Sequence, residues 1–332
     1  MAQTALQVHT ADEDRRPKWF NSPVTFYEGS LAEIRQHIPE FERRRFALTQ
    51  QDDSCSRLNE HLDVIVRRPF GKDRTYVPVG VVSSEYTLIP HTAVVNVAAN
   101  ALNARKISEN AVRAQLSISE YGERLNLSLI LPEKYQFDPG DGHPMALRLE
   151  CVNSVEGSTR FRALMGWFRF VCSNGLIIGV TTSDIRRRHV GDLGLAGIGA
   201  VLAAGLRHSE TEKGNFAKWR QTPIHLDRLV PWVEKNLRKC WGFKAAARTF
   251  HIAGSGFDAE IVGDYKDKTP TTIPLRKTKR VPGAPYECDN LFDLSQILAW
   301  LAQQRRDIQE QLEWREQIPG LLKALSGRGR KE

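Results

Sequence analysis

Few residues of this 332-residue chain stand at spacings that carry known chemistry. No GxxxxGK[ST] occurs, so the loop that cradles nucleotide phosphates is not encoded. Gly191, Gly194, Gly197, Gly199 and Gly205 form a glycine-rich run, but the third residue after Gly199 is Leu202, which breaks the dinucleotide fingerprint. Close packing of a helix accounts for these glycines better. The nine histidines form no HExxH or HxH pair, and the five cysteines (55, 151, 172, 240 and 288) show no finger spacing. No metal site is therefore expected. Cys172, followed by Ser173, Asn174 and Gly175, invites a thiol-nucleophile reading, yet no GxSxG elbow accompanies it. A small buried thiol beside an Asn-Gly turn is the plainer reading. The sequence thus points away from an enzyme and away from any cofactor.

The remaining chemistry is cationic and aromatic. In the segment 160–172, alternation places Arg160 and Arg162 with Leu164 and Phe168, and Trp167 and Arg169 with Phe161 and Met165. Each strand face then mixes basic and greasy groups, as in proteins that stack bases on rings and pair guanidinium with phosphate. The bland alternative is a sheet with rings in the core and arginines at its rim. Arg186, Arg187, Arg188 and His189 form the densest positive cluster, just before the glycine-rich segment. Cations preceding a helix N-terminus suit phosphate, and a solvated turn is the other reading. Lys213, Lys218, Trp219 and Arg220 repeat the mixture, as do Lys235, Arg238, Lys239, Trp241, Lys244 and Arg248.

These residues need elements to position them. Composition is that of a folded globular chain, with 41% hydrophobic and 26% charged residues. The 47 Lys and Arg against 39 Asp and Glu give a formal charge of +8, which favours anionic partners. Residues 1–17 read as a loose arm without a signal peptide. A helical pattern over 31–46 is interrupted by Pro39. Strands are predicted over 62–67 and 76–83, and Pro90 opens a helix to about Lys106. Segments 115–119 and 124–131 flank a tight turn, and Leu125, Leu127 and Leu129 alternate with Asn126 and Ser128 to give one dry and one wet face. A further strand near 147–152 turns through 153–158 into the long strand 160–172. Helices follow over 193–210 and 227–239. The basic, proline-rich stretch 266–285 reads as an exposed loop.

The last segment, 291–325, is an amphipathic helix or a broken pair, punctuated by Pro319 and Gly320. Its stripe of Leu291, Leu294, Leu298, Leu301, Ile308 and Leu312 serves the core or a partner helix. The expected class is α+β, an antiparallel sheet of hairpins packed against helices with a mostly helical C-terminal part. The expected divisions are 1–17, 18–260, 261–289 and 290–332. The apolar run 193–206 is too short and glycine-rich to span a bilayer, and unpaired cysteines fit a reducing cytoplasm.

Two stretches carry a resemblance. Asn153-Ser154-Val155-Glu156-Gly157-Ser158, followed by the strand end Arg169-Phe170-Val171-Cys172-Ser173-Asn174-Gly175-Leu176, resembles the signature of a phage- and plasmid-related domain family of unknown function. Gly80-Val81-Val82-Ser83-Ser84-Glu85-Tyr86 resembles its upstream element, and Asn290 to Ser295 fall where its last helix begins. The resemblance spans roughly residues 60–310 and implies a protein of mobile elements, without supplying a catalytic residue. At the level of fold alone it is similar to single-strand annealing recombinases of the RecT, Redβ and Erf kind, which bind DNA as oligomeric rings.

The leading expectation is an ATP-independent protein that binds and anneals single-stranded DNA as a homo-oligomer, in recombination. Its contacts would be Arg160, Arg162, Trp167, Arg169, Arg186, Arg187, Arg188, Lys213, Lys218, Trp219 and Arg220. The alternative is a protein-interaction module acting against host defence or a host nuclease, docking a host protein through the C-terminal helix.

Overall fold

The computed structural model describes residues 7–9, 18–19, 22–49, 56–170, 176–187, 195 and 197–326. The strands are β1 (Gln7–His9), β2 (Lys18–Trp19), β3 (Ser22–Ser30), β4 (Phe41–Thr49), β5 (Ser56–Arg67), β6 (Val77–Ser83), β7 (Arg113–Ser119), β8 (Arg124–Ile130), β9 (Gln136–Phe137), β10 (Met145–Ser154), β11 (Phe161–Arg169), β12 (Leu176–Arg187), β13 (Phe257–Ile261) and β14 (Leu275–Arg280). The helices are α1 (Leu31–Arg35), α2 (His91–Ala104), α3 (Gly197–Arg220), α4 (Leu226–Pro231), α5 (Arg238–Ser255), α6 (Leu291–Gln303) and α7 (Ile308–Ser326). The class is α+β, with the C-terminal part helical.

The largest sheet runs β1-β3-β7-β8-β10-β11-β12, with β2 on β3 and β9 on β10; β4-β5-β6 and β13-β14 form separate sheets. The chain divides into two compact units. One comprises residues 1–135, 147–165 and 181–207, the other 136–146, 166–180 and 208–332.

In the first unit, Ser30 caps α1: its Oγ accepts the Glu33 backbone N–H, and the Glu33 carboxylate accepts from the Ser30 backbone. The helix ends at Arg35, short of the expected 31–46. Pro39 bars its continuation, and Phe41 to Thr49 pair with β5 instead. Phe41, Ile65, Val82, Tyr86 and Val155 close a small core beneath this three-stranded sheet. Strand β1 lies within the segment expected as a loose arm and pairs with β3, Val8 opposite Tyr27.

Helix α2 buries Val94, Val95, Ala98, Ala99 and Leu102. Strands β7 and β8 meet across the anticipated turn, Leu116 opposite Leu127 and Ile118 opposite Leu125. The dry face is as expected: Leu125, Leu127 and Leu129 are fully buried. The wet face is not wet. Ser128 is 5% exposed, and its neighbours on β10, Arg148 and Glu150, are at 1% and 0%. Burying such groups requires partners. Arg148 pairs with Glu150, which also accepts from Asn126 Nδ2 at 2.9 Å, while Gln115 donates to Glu28 at 2.9 Å. Gly205 of α3 lies where a Cβ would come within 2.5 Å of Met165 Cγ, the close packing expected of that glycine.

In the second unit, Pro231 leads into a π-helical turn, Trp232–Leu237, before α5. Strands β13 and β14 pair antiparallel, Ala259 opposite Lys277 and Glu260 opposite Arg276. The stretch expected as a loop over 266–285 thus contains a strand. The C-terminal pair breaks at 304–307, where Asp307 Oδ1 accepts the backbone N–H of Gln309 and Glu310, while Pro319 stays inside α7. Leu291, Leu294, Leu298, Leu301, Ile308 and Leu312 are all buried. That stripe serves the core and is not itself a docking face. Among the described residues, no helix is long and apolar enough to cross a membrane.

Candidate nucleic-acid interface

The stretches Gly80–Tyr86 and Asn153–Ser158 meet in the first unit as a clasp. The Tyr86 hydroxyl donates to the Ser154 carbonyl at 3.3 Å, and the ring lies over Gly157, whose φ of +83° suits glycine. A Cβ on Gly157 would stand 3.0 Å from that ring, and one on Gly80 only 2.4 Å from Glu156 Cβ. Ser154 Oγ donates to the Thr159 carbonyl at 2.8 Å and accepts the Thr159 N–H at 3.0 Å, closing the turn. Glu156 accepts from Arg124 at 2.6 Å. Asn153 Nδ2 approaches the Ile89 carbonyl at 3.0 Å and His91 Nδ1 at 2.9 Å, while His91 Nε2 donates to the Gly122 carbonyl at 2.9 Å. Glycines, cap and amide are thus consumed in holding the turn. Burial raises the Tyr86 hydroxyl above its ordinary range and pushes the Cys151 thiol up to about 12, so neither is an activated nucleophile. Cys172 lies outside the described residues.

Among the described residues, the anticipated contacts on β11 do not line an open groove. Every residue of β11 is buried, so both of its faces are covered, as in a central strand. Arg162 is 4% exposed and Trp167 is fully buried. The Trp167 Nε1–H donates to Glu212 Oε2 at 2.8 Å, and its ring meets Phe137 edge-on at 4.7 Å. Arg169 pairs with Asp141 and faces the Phe292 ring at 5.6 Å. Arg162, Trp167 and Arg169 are therefore interior groups rather than a base-stacking surface. Trp219 packs against Phe216 at 5.7 Å, and Arg220 donates to the Pro139 carbonyl at 3.2 Å. Lys213 pairs with Glu210 at 2.6 Å. Arg160 and Lys218 are exposed. Arg186 and Arg187 lie in β12, described here by backbone alone, and Arg188 lies outside the described residues.

A different element carries exposed cations beside rings. On β14, Arg276, Lys277 and Lys279 are exposed and Arg280 half-buried. Lys277 Nζ sits 3.3 Å from the Phe257 ring centroid, and Arg280 lies 4.2 Å from Tyr286 and 5.3 Å from Phe257. Tyr286 is 71% exposed. Arg276 pairs with Glu260 at 2.6 Å across the hairpin, and Lys279 donates to Gln304 at 3.3 Å. The signal was present in the sequence as Leu275-Arg276-Lys277-Thr278-Lys279-Arg280. Prolines 270, 274, 282 and 285 around it disguised a strand as a linker. Chemically, the hairpin offers point charges for phosphates and rings for bases. Among the described residues, no three His, Cys, Asp or Glu side chains are arranged to hold a metal.

A clasped pair of turns beside an antiparallel sheet, followed in the chain by a basic hairpin and a helical pair, defines an α+β protein. Residues 78–279 match the DUF932 family, a domain of unknown function, and the chain belongs to that family. The match begins in β6 and ends in β14, taking in both the clasp and the hairpin. No solved structure matches the chain.

Proposed function

We propose that this protein binds single-stranded DNA without nucleotide hydrolysis, as an annealing protein of a phage or plasmid acting in recombination, and that homo-oligomers extend its contact along a strand. The observation that carries the reading is the exposed basic strand β14 with the rings of Phe257 and Tyr286 against its cations. Charges of this kind neutralise phosphates and release counterions, and an exposed aromatic face takes an unstacked base. The formal charge of +8 adds long-range attraction. Arg160 and Lys218, both exposed, are further candidate contacts. A gel-shift titration with a single-stranded oligonucleotide tests the reading: a shift in low salt that fades between about 50 and 200 mM supports it. Absence of a shift in low salt, or one indifferent to salt, rejects it.

A second reading has its own observation. Leu58, Leu62, Tyr76 and Val81 of the β4-β5-β6 sheet region are between 39% and 59% exposed. Such a surface suits a protein partner, as an interaction module directed at host defence or a host nuclease requires. Capture of one defined host protein after nuclease treatment, lost on Val81→Lys, is the result that reading demands.

A further inference from the structure

The second unit carries another set of cations beside rings, toward the other end of the β13-β14 hairpin. Phe257 stands opposite Arg280 and Ile261 opposite Leu275, so the cluster of Phe257, Tyr286 and Arg280 lies where β13 begins. Residues 262–274 join the two strands at the far end, about 13 Å away along β13. There Tyr265, 39% exposed, meets Phe243 edge-on at 5.0 Å, and Arg238 stands 5.3 Å from the Phe243 ring. Arg238 is exposed, as are its neighbours in sequence Lys235, Lys239 and Lys244. Arg248, by contrast, is spent on Asp258, to which it donates at 2.8 and 2.6 Å.

Lys235, Arg238 and Lys239 are spaced i, i+3 and i+4, positions at which like charges on a helix stand about 5–6 Å apart and repel. Among the described residues none of these three, nor Lys244, is in an ion pair. The Glu234 carboxylate takes its hydrogen bond from Thr271 and feels Arg238 and Lys235 through space. Clustered charge that the chain leaves unneutralised is what a polyanion relieves. The segment is also pinned rather than frayed: Trp232 Nε1–H donates to the Leu321 carbonyl at 3.0 Å, Trp241 Nε1–H donates to Gln317 Oε1 at 2.8 Å, and Trp241 stacks on Trp314 at 4.4 Å. Between the hairpin and these cations the loop is balanced, Lys266 and Lys268 against Asp264 and Asp267, so the rings of Tyr265 and Phe243 make the bridge. Resting on the strand-binding reading, we infer that a single strand lying along β14 continues past Tyr265, with a base against that ring, and sets its further phosphates on Lys235, Arg238, Lys239 and Lys244.

The test titrates the full chain with labelled single-stranded oligonucleotides of about 5 and about 20 nucleotides, one short enough for β14 alone and one long enough for both surfaces. The variant carries Lys235→Ala, Arg238→Ala, Lys239→Ala and Lys244→Ala, all at exposed positions, so its melting temperature is expected to stay at the wild-type value. Its salt slope for the long oligonucleotide is expected to flatten by roughly 2–3, with low-salt affinity down about tenfold or more, while the short one stays within about twofold. Tyr265→Leu keeps an apolar contact with Phe243, removes the stacking ring, and is expected to weaken the long oligonucleotide alone. Unchanged long-oligonucleotide binding in the fourfold variant overturns the continued track and, where that binding still needs the β14 cations, leaves the strand interface standing. Equal losses for both lengths overturn it too, since β14 would then not hold the short strand by itself. Absence of wild-type binding to either length at low salt removes the strand-binding reading along with it.

Discussion

The carboxyl of Glu212 receives the Trp167 indole N–H inside the second unit, and burial pushes its pKa up to about 7 despite that hydrogen bond. A raised carboxyl pKa means that the folded state holds a proton which the unfolded state has released above about 4.3. Stability is therefore full below that value and falls as pH rises towards 7. Glu212→Gln keeps an acceptor for the indole and removes the charge. Chemical denaturation is expected to show the variant gaining on the order of 2–3 kcal/mol at pH 8 and nothing at pH 4, with a flattened fall between. Arg169→Ala makes the complementary case. It strands Asp141 beside a buried void, and unfolding measurements are expected to register a loss of about 3–5 kcal/mol. Oligonucleotide affinity well below the melting temperature is expected to stay within about twofold, as for any interior group. A selective loss of affinity with stability intact would return Arg169 to the interface. The alternation along β11 was legible in the sequence, but alternation says which residues share a face and not whether that face is covered. Trp167 and Arg162 became interior for that reason.

At the scale of elements, local signals were legible wherever one rule acted without competition. Strands β5 and β6, helix α2 after Pro90, and the β7-β8 hairpin all follow from periodicity and turn chemistry. The misses came where two rules competed. The pattern after Leu31 has helical spacing, but β4 finds a partner in β5, and tertiary pairing outweighs propensity. Prolines around β14 read as a linker because a strand edge tolerates proline outside its hydrogen-bonded positions. The C-terminal break fell at 304–307, where Asp307 accepts the backbone N–H of Gln309 and Glu310 at the start of α7, and Pro319 is carried inside that helix. The clasp was visible as two separate motifs, and their meeting was not. It carries a prediction of its own: Gly157→Ala is expected to cost about 1–3 kcal/mol, through positive φ and the Tyr86 ring. Tyr86→Phe is expected to cost about 1 kcal/mol through the lost hydrogen bond. Both are read from denaturant midpoints. A Gly157→Ala chain as stable as wild type would mean that the turn is not held as described.

For the whole molecule, the family match and the net charge leave the function to be decided by where exposed cations stand. Burial removes the side chains of β11 from that role, and β14 is the strand proposed for it. The most direct test compares wild type with a chain carrying Arg276→Ala, Lys277→Ala, Lys279→Ala and Arg280→Ala, by fluorescence anisotropy of a labelled single-stranded oligonucleotide across a salt series. Each phosphate contact on a single strand contributes a slope of about −0.7 to log K against log salt, so loss of these cations is expected to flatten the slope by roughly 2–3 and to weaken low-salt binding steeply. Wild-type binding with an identical slope in the substituted chain, or no binding by the wild type at low salt, would contradict the assignment of β14 as the strand-binding surface.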